Sequence, residues 1–219
     1  MAISNMMTAS AVIDPSTHDD SICCHILVGM PRWESDAQGR LERAALELFE
    51  TQGFERTSVA QIARTAGLTE RSFYRYFPDK REVLFADNEL EAHLVAQVEA
   101  ADPSLRPIEA LLTALGTADE VFHPRDFLLR RIKVIAANPA LAERDLIKLA
   151  DIADALARAL ERRGVEPGKA RFIIDVAIAI SRRATSRWLA EPDAALSELV
   201  AQAAAELYET VTPPAPTVH

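Results

Sequence analysis

The fold of this chain is decided by one stretch, AGLTERSFYRYF at residues 66–77. Gly67 permits a tight turn, and Thr69 is a residue type that begins helices, because its hydroxyl accepts a hydrogen bond from a first-turn N–H. Phe73 and Phe77 are four residues apart and therefore share one face of the helix that follows. The stretch predicts a turn into a short helix that buries its phenylalanines and exposes basic and hydroxyl side chains.

Two further helices precede this turn. The first has an apolar face with helical spacing and ends at Gly53. The residues of that face are Leu41, Ala44, Ala45, Leu48 and Phe49. Ser58 opens the second helix as its N-cap, and Gln61 stands where it completes a capping box. Together with residues 66–77, these segments predict a three-helix unit that contains a helix-turn-helix.

The rest of the chain also has helical patterning, and no run of alternating β-branched residues predicts a sheet. The patterns cover residues 80–101, 105–122, 125–137, 140–163, 167–190 and 193–210, and the fourth helix is predicted to begin at Lys80 with Asp79 as its cap. We therefore predict an all-α fold in four parts. They are a flexible N-terminal arm (1–35), a helix-turn-helix domain (36–82), a helical bundle (83–211) and a disordered tail (212–219). The translation start stays open among Met1, Met6, Met7 and Met30.

Charge is distributed unevenly along the chain. The net charge of the whole chain is −9, yet residues 56–81 hold six basic residues against two acidic ones. This stretch therefore carries +4, and the remainder carries −13. A basic patch on an acidic body is typical of a protein that docks on a nucleic-acid backbone with one face.

The helix-turn-helix and its flanking helices resemble the N-terminal DNA-binding domain of the TetR family of bacterial transcriptional regulators. The matching residues are Ala44-Ala45-x-x-Leu48-Phe49, Gly53-Phe54, Thr57-Ser58-Val59-x-x-Ile62-Ala63, Ala66-Gly67-Leu68-Thr69, Ser72-Phe73-Tyr74-x-Tyr76-Phe77 and Lys80-x-x-x-Leu84. A second segment, Ala136-x-Asn138-Pro139-x-Leu141, resembles the C-terminal domain of some actinobacterial members. The resemblance implies a homodimeric, ligand-responsive repressor that binds a palindromic operator and is released by a small-molecule effector. Repression versus activation, the operator and the effector stay open.

Eight residues are candidate contacts to double-stranded DNA. They are Ser58, Thr69, Arg71, Ser72, Tyr74, Arg75, Tyr76 and Lys80. Arg71 is the best placed to read a base edge, most simply a guanine through O6 and N7. Ser58 and Lys80 stand at predicted helix starts, where a side chain and backbone N–H groups reach the same phosphate. The resemblance implies that Tyr74 and Lys80 contact phosphates and that residues 70–76 read the operator.

The last two predicted helices, at about 167–190 and 193–210, form a candidate dimerisation surface. The first is apolar on nearly all sides, and the second carries an apolar stripe from Leu196 to Tyr208. Two such helices from each subunit would form a four-helix interface, as in the TetR family. The alternative is that they complete a monomeric core.

The resemblance also implies that the helical bundle (83–211) is an effector-binding and dimerisation domain, here called the effector domain, with an effector pocket enclosed by residues 105–190. The candidate lining residues are Phe122, Phe127, Arg130, Phe172 and Trp188, with His123, Arg131 and Arg183 as further candidates. Nothing in the sequence identifies the ligand.

Other chemistries receive little support from the sequence. Cys23 and Cys24 are adjacent, so they neither bridge easily nor have zinc-ligand spacing. The five histidines are scattered, and the one Glu-x-x-His spacing, Glu120 to His123, is fewer than the two that a di-iron bundle needs. No run of about 18 apolar residues predicts a membrane span. We predict a cytoplasmic protein without cofactor, metal or catalytic residues. The rival interpretation is a helical-bundle protein with a small-molecule or enzymatic role that no longer binds DNA.

Overall fold

A computed structural model of the chain describes residues 37–85 and 89–211. Within these ranges the chain is helical and contains no strand, which confirms the all-α prediction. The helices are α1 (Ala37–Gln52), α2 (Val59–Thr65), α3 (Glu70–Tyr76), α4 (Glu89–Ala100), α5 (Pro107–Leu115), α6 (Arg125–Ala136), α7 (Pro139–Arg162), α8 (Pro167–Ala190) and α9 (Leu196–Val211), with short 3₁₀ helices at Glu82–Leu84 and Ala118–Glu120. No helix in the described ranges is both long and apolar enough to cross a bilayer. The predicted arm (1–35) and tail (212–219) lie outside the described residues.

The first three helices begin and end where local sequence signals predict. α1 ends before Gly53, whose φ of +87° is a conformation that glycine adopts without strain. Ser58 and Gln61 form the reciprocal capping box. The Ser58 N–H donates to Gln61 Oε1 (2.8 Å), and the Gln61 N–H donates to Ser58 Oγ (3.2 Å). The start of α2 is therefore fixed by its own side chains.

The fourth α-helix does not begin at Lys80, so that prediction is wrong. Asp79 Oδ1 does accept the N–H groups of Arg81 (2.6 Å) and Glu82 (3.3 Å), but the turn leads into the 3₁₀ helix. The three residues 83–85 are consecutive, apolar and buried. Their side chains pack with the buried apolar residues of α1–α3, so tertiary packing overrides the local helix-start signal at Asp79. In the described residues, α4 covers Glu89–Ala100.

The helix predicted over residues 105–122 is also shorter than expected. α5 ends at Leu115, and a 3₁₀ helix follows at Ala118–Glu120. Thr117 Oγ1 donates to the Ala114 carbonyl (2.8 Å), which is a local side-chain bond that competes with continuation of the α-helix. At Gly116 an added Cβ would lie 3.1 Å from Ser197 Cα, so this end of α5 is in close contact with α9.

The described residues form two hydrophobic cores. The N-terminal core joins α1–α3 and residues 83–85, and the effector-domain core joins α4, α5, α8, α9 and the second half of α7. The N-terminal core also includes Phe127, Val134 and Ile135 of α6 and Leu141 of α7. The next residue along α6, Leu128, belongs to the effector-domain core instead. α6 therefore packs into both cores at once.

The last two helices pair as an antiparallel α8–α9 hairpin. Arg183 of α8 donates to the Glu206 carboxylate (2.9 Å), and Arg187 donates to Gln202 Oε1 (3.0 Å). The inner stripe of α9 is buried against α8, but several large apolar side chains of the hairpin point outward. The outward residues are Phe172, Leu207, Tyr208 and Val211. α8 is thus covered on one side by its own chain and uncovered on the other.

Candidate nucleic-acid interface

The seven-residue helix α3 is held against the body of the N-terminal core by its aromatic face. Phe73 and Phe77 are fully buried, with ring centroids 5.2 Å apart, as their spacing predicts. Thr69 Oγ1 accepts the Ser72 N–H (3.1 Å) and caps the helix. Gly67 turns the chain into α3 with φ of +68°. These contacts leave α3 with one fixed orientation.

The opposite face of α3 carries free polar side chains. Tyr74 is 56% exposed, and its ring lies edge-to-face with that of Phe73, with the two ring centroids 5.6 Å apart. Arg71 is exposed and makes no hydrogen bond or ion pair with another residue of ranges 37–85 and 89–211. A long cation without an intramolecular partner is available for a base edge or a phosphate.

Other candidate contacts on α3 are already engaged within the chain. Arg75 donates to the Tyr76 hydroxyl (2.7 Å), and its guanidinium lies 4.8 Å from the centroid of the Tyr76 ring. The hydroxyls of Thr69 and Ser72 are 2.9 Å apart and share a hydrogen bond. Arg75 and Tyr76 therefore act as one polar unit, and the two hydroxyls are partly used in capping.

The two candidates outside α3 differ in their surroundings. Ser58 is exposed at the first residue before α2, as predicted. Lys80 donates from Nζ to the Phe54 carbonyl (2.8 Å) and lies 4.2 Å from the centroid of the Phe54 ring. It ties the turn after α3 to the loop after α1 and does not open an α-helix. Its contact with a phosphate stays a prediction.

The candidate effector residues fall into three places rather than one. Phe122 and Trp188 are neighbours in the effector-domain core, with ring centroids 5.6 Å apart. Phe127 belongs to the N-terminal core, and Arg130 forms a two-pronged ion pair with Glu50 of α1 (Nη2–Oε2 2.6 Å). The two therefore lie where α6 meets the DNA-binding side, outside the core that holds Trp188.

Phe172 corrects the pocket prediction. Its side chain is 68% exposed on the outer side of α8, so it does not line the interior of the protomer. The apolar pattern of α8 predicted burial on several sides, but the sequence does not distinguish burial within the chain from burial against another chain. Of the further candidates, His123 lies beside Phe127 (ring centroids 4.7 Å) and 3.7 Å from a Glu42 carboxylate oxygen, and Arg183 is on the hairpin surface.

The sequence motifs did not predict two polar contacts between segments that are far apart in the chain. Arg144 of α7 donates to both carboxylate oxygens of Glu82, with Nη2–Oε2 at 2.9 Å, and these hydrogen bonds raise the pKa of Arg144 above its ordinary value. Arg125 donates to the carbonyls of Glu191 (2.9 Å) and Ala194 (3.1 Å) in the turn between α8 and α9. Sequence separations of more than 60 residues leave no local pattern that pairs such groups.

The arrangement defines a class of protein: a helix-turn-helix DNA-binding module with an exposed, basic recognition helix, attached to a larger helical domain. Comparison with known proteins agrees with this class. The family profile described as "Bacterial regulatory proteins, tetR family" matches residues 42–86, and the "MftR C-terminal domain" profile matches residues 105–212. This chain belongs to the TetR family of bacterial transcriptional regulators.

Two curated relatives extend the match over most of the chain. The regulator TcmR of Streptomyces glaucescens is 28% identical over 177 residues, covering 73% of this chain and 76% of TcmR. The putative mycofactocin biosynthesis transcriptional regulator MftR of Mycobacterium tuberculosis is 27% identical over 181 residues, covering 78% of this chain and 89% of MftR. These relatives agree with the predicted actinobacterial character of the sequence.

Solved structures share the fold at low sequence identity. The SmeT–triclosan complex matches with a TM-score of 0.54 at 19% identity, covering 84% of this chain and 99% of that chain. A TerR/AcrR-family transcriptional regulator of Aquifex aeolicus matches with a TM-score of 0.51 at 19% identity, covering 80% and 99%. At this level of identity the comparison establishes the fold alone.

Proposed function

We propose that this chain is a ligand-responsive repressor that binds a palindromic operator as a homodimer and releases it when a small-molecule effector binds. The observation that carries the proposal is the exposed face of α3. Arg71 and Tyr74 project from a helix that is anchored by two fully buried phenylalanines, within a segment that carries +4. An anchored helix with free polar side chains is what insertion into a major groove requires.

The candidate contacts divide into residues that recognise bases and residues that bind phosphates. Arg71, near the amino end of α3, reads a base edge, and the Tyr74 hydroxyl donates a hydrogen bond to a phosphate. The Arg75–Tyr76 unit contacts the DNA backbone as a pair, because the Arg75 guanidinium is held against the Tyr76 ring. Ser58 and Lys80 complete the phosphate contacts on either side of α3.

The dimer forms through the outward face of the α8–α9 hairpin. That face carries large apolar side chains exposed to solvent in the single chain, including Phe172, Tyr208 and Val211. Apolar surface of this kind is stabilised by burial against a symmetric copy. Two recognition helices then read half-sites about 34–36 Å apart, one turn of the DNA helix.

The effector binds in the effector-domain core. Its site lies around Phe122 and Trp188, the two predicted lining residues that share that core. A ligand that binds better to one arrangement of the helices shifts the population of arrangements, and the two α3 helices then leave the operator spacing. This function involves no catalysis. A repressor of this kind acts in the cytoplasm.

The test is an anisotropy titration of the purified protein against the intergenic DNA upstream of its own gene, at two salt concentrations. Specific, salt-sensitive binding to a palindromic site supports the repressor and opens an effector screen by loss of binding. If the intergenic DNA binds no more tightly than random DNA, a selection from random oligonucleotides follows. Failure to enrich any sequence would contradict the proposal.

A further inference from the structure

α6 connects the two halves of the molecule through side chains that alternate between them. Phe127, Val134 and Ile135 are buried in the N-terminal core, whereas Leu128 is buried in the effector-domain core. With 12 residues, α6 spans about 18 Å at 1.5 Å per residue. One rigid helix therefore reaches from the hairpin side of the molecule to the body that carries α3.

Arg125, the first residue of α6, contacts the α8–α9 hairpin. Its guanidinium donates to the Glu191 and Ala194 carbonyls at 2.9 and 3.1 Å, which lie in the turn that joins α8 to α9. The same guanidinium lies 4.1 Å from the centroid of the Trp188 ring, and Trp188 is buried. The cation–π contact with the ring and the two carbonyl acceptors together restrict both the position and the orientation of the guanidinium.

The next turn of α6 is fixed to the DNA-binding side. Arg130 contacts Glu50 of α1 with three N–O distances between 2.6 and 3.1 Å. This two-pronged contact raises the pKa of Arg130, first through the hydrogen bonds to Glu50. An exposed ion pair contributes little to stability, but a two-pronged geometry is directional. Arg130 and the buried face of α6 thus attach the helix to the body that carries α3.

We propose that Arg125 is a positioning residue that sets the distance between the two recognition helices of the dimer, with α6 as the strut it holds in place. The inference rests on the proposed dimeric repressor. The hairpin belongs to the dimer interface, Arg125 joins the hairpin to α6, and α6 is part of the N-terminal core. Loosening Arg125 lets each N-terminal core move relative to the hairpin, so the separation of the α3 helices becomes less sharply defined.

This mechanism predicts a loss of spacing selectivity rather than a loss of base reading. A rigid dimer discriminates against half-sites placed at the wrong distance, because only one recognition helix fits at a time. In a looser dimer the second recognition helix gains some binding to mis-spaced DNA and loses some binding to DNA with the preferred spacing. The ratio of the two dissociation constants therefore falls, while binding to a single half-site is unchanged.

The experiment uses the full chain and duplexes that carry the selected half-sites with the preferred spacer, or with spacers shortened or lengthened by one or two base pairs. Arg125→Ala is expected to lower the ratio of mis-spaced to preferred dissociation constants by about fivefold, or about 1 kcal/mol. Arg125→Lys keeps the charge but loses the two-carbonyl fork, so its ratio of dissociation constants is expected to lie between those of Arg125→Ala and wild type. Circular dichroism melting establishes that each variant is folded.

Two controls separate spacing from other effects. Arg171→Ala breaks an exposed ion pair with Asp154 inside the effector domain and is expected to leave the spacing ratio unchanged. Glu50→Ala, Arg130→Ala and their double variant form a cycle in which the double variant loses no more selectivity than either single one. This cycle keeps the proposal testable if Arg125→Ala folds poorly.

The outcomes distinguish the two proposals. Suppose that wild type prefers one spacing and that Arg125→Ala keeps the ratio of dissociation constants within twofold of wild type. The proposed role of the strut is then wrong, and the repressor proposal is unaffected. The Glu50 and Arg130 variants are judged in the same way if they replace Arg125→Ala. If wild type binds every spacing equally, the dimeric repressor is itself contradicted. Weaker binding of Arg125→Ala to a single half-site would also overturn the strut, because it would place the effect in the reading of bases.

Discussion

Arg71 is the residue on which the reading of sequence depends most directly. It is exposed on α3 and has no hydrogen-bond or ion-pair partner among residues 37–85 and 89–211, so its guanidinium is available for two acceptors of one base. Arg71→Ala is expected to weaken operator binding by about 1–3 kcal/mol and to relax base preference at one position of each half-site. Anisotropy with the selected operator and single-base variants measures both effects.

A matched control for this substitution is Arg171→Ala, which removes the same side chain from the effector domain. Operator affinity is expected to stay at the wild-type value in that variant. Uniform weakening of Arg71→Ala on every sequence, without a change in base preference, would instead assign Arg71 to a phosphate.

Single residues with local partners were predictable from the sequence, and residues with distant partners were not. Thr69 and Phe73 act within the turn of helix that contains them, so spacing alone identified the cap and the buried ring. Lys80 contacts the Phe54 carbonyl, 26 residues away, and the sequence placed it at a helix start instead. Contacts formed by folding have no periodicity along the chain.

At the scale of elements, α3 is too short to be stable by itself. Seven residues are well below the length at which an isolated helix forms in water, so α3 depends on its cap and on Phe73 and Phe77. Thr69→Ala is expected to lower the free energy of unfolding by about 1 kcal/mol. Thr69→Ser retains the hydroxyl and is expected to restore most of this loss in urea denaturation. An equal loss in both variants would show that the methyl group, and not the cap, is responsible.

The start of α8 is predicted to be sensitive to pH through Glu166. Its carboxylate accepts the N–H groups of Gly168 (2.9 Å) and Lys169 (2.8 Å), and these hydrogen bonds lower the pKa of Glu166 below its ordinary value of 4.5. A lowered folded-state pKa means that the stabilisation is complete above pH 4.5 and is lost as the pH falls through the lower value.

Glu166→Gln is therefore expected to lower the Tm at pH 7, with a difference from wild type that shrinks as the pH falls below about 4.5. Thermal melts followed by circular dichroism across this range measure the effect. Glu161→Gln, on the exposed face of α7, is the control and is expected to leave the Tm unchanged at every pH. A constant Tm difference for Glu166→Gln at all pH values would contradict the role of the ionised cap.

The helices of the second half were predicted with nearly correct boundaries, but their packing was not. Proline and glycine mark the ends of α6, α7 and α8, and these signals act locally. The apolar residues of α6 have the same spacing whichever core they enter. Phe127 and Leu128 thus gave no indication that one belongs to the N-terminal core and the other to the effector-domain core.

At the scale of the whole molecule, the dimer is tested at the outward face of the hairpin. Phe172→Glu places a charge at the predicted two-fold interface and is expected to convert the dimer to a monomer of 24.1 kDa in light scattering. Leu146→Glu is the matched control, because Leu146 is 69% exposed and belongs to α7, which is not part of the hairpin. It is expected to remain a dimer. A dimer of unchanged stability in Phe172→Glu would move the interface to another face.

The shared packing of α6 has a consequence for building hybrid regulators. A hybrid that joins the DNA-binding domain of one protein to the effector domain of another is naturally cut after residue 85. In this chain that cut would remove Phe127, Val134, Ile135 and Leu141 from the core that they complete. A transplant that carries α6 and the first turn of α7 together with residues 37–85 would keep that core intact. The exchangeable unit of this protein is therefore discontinuous in sequence.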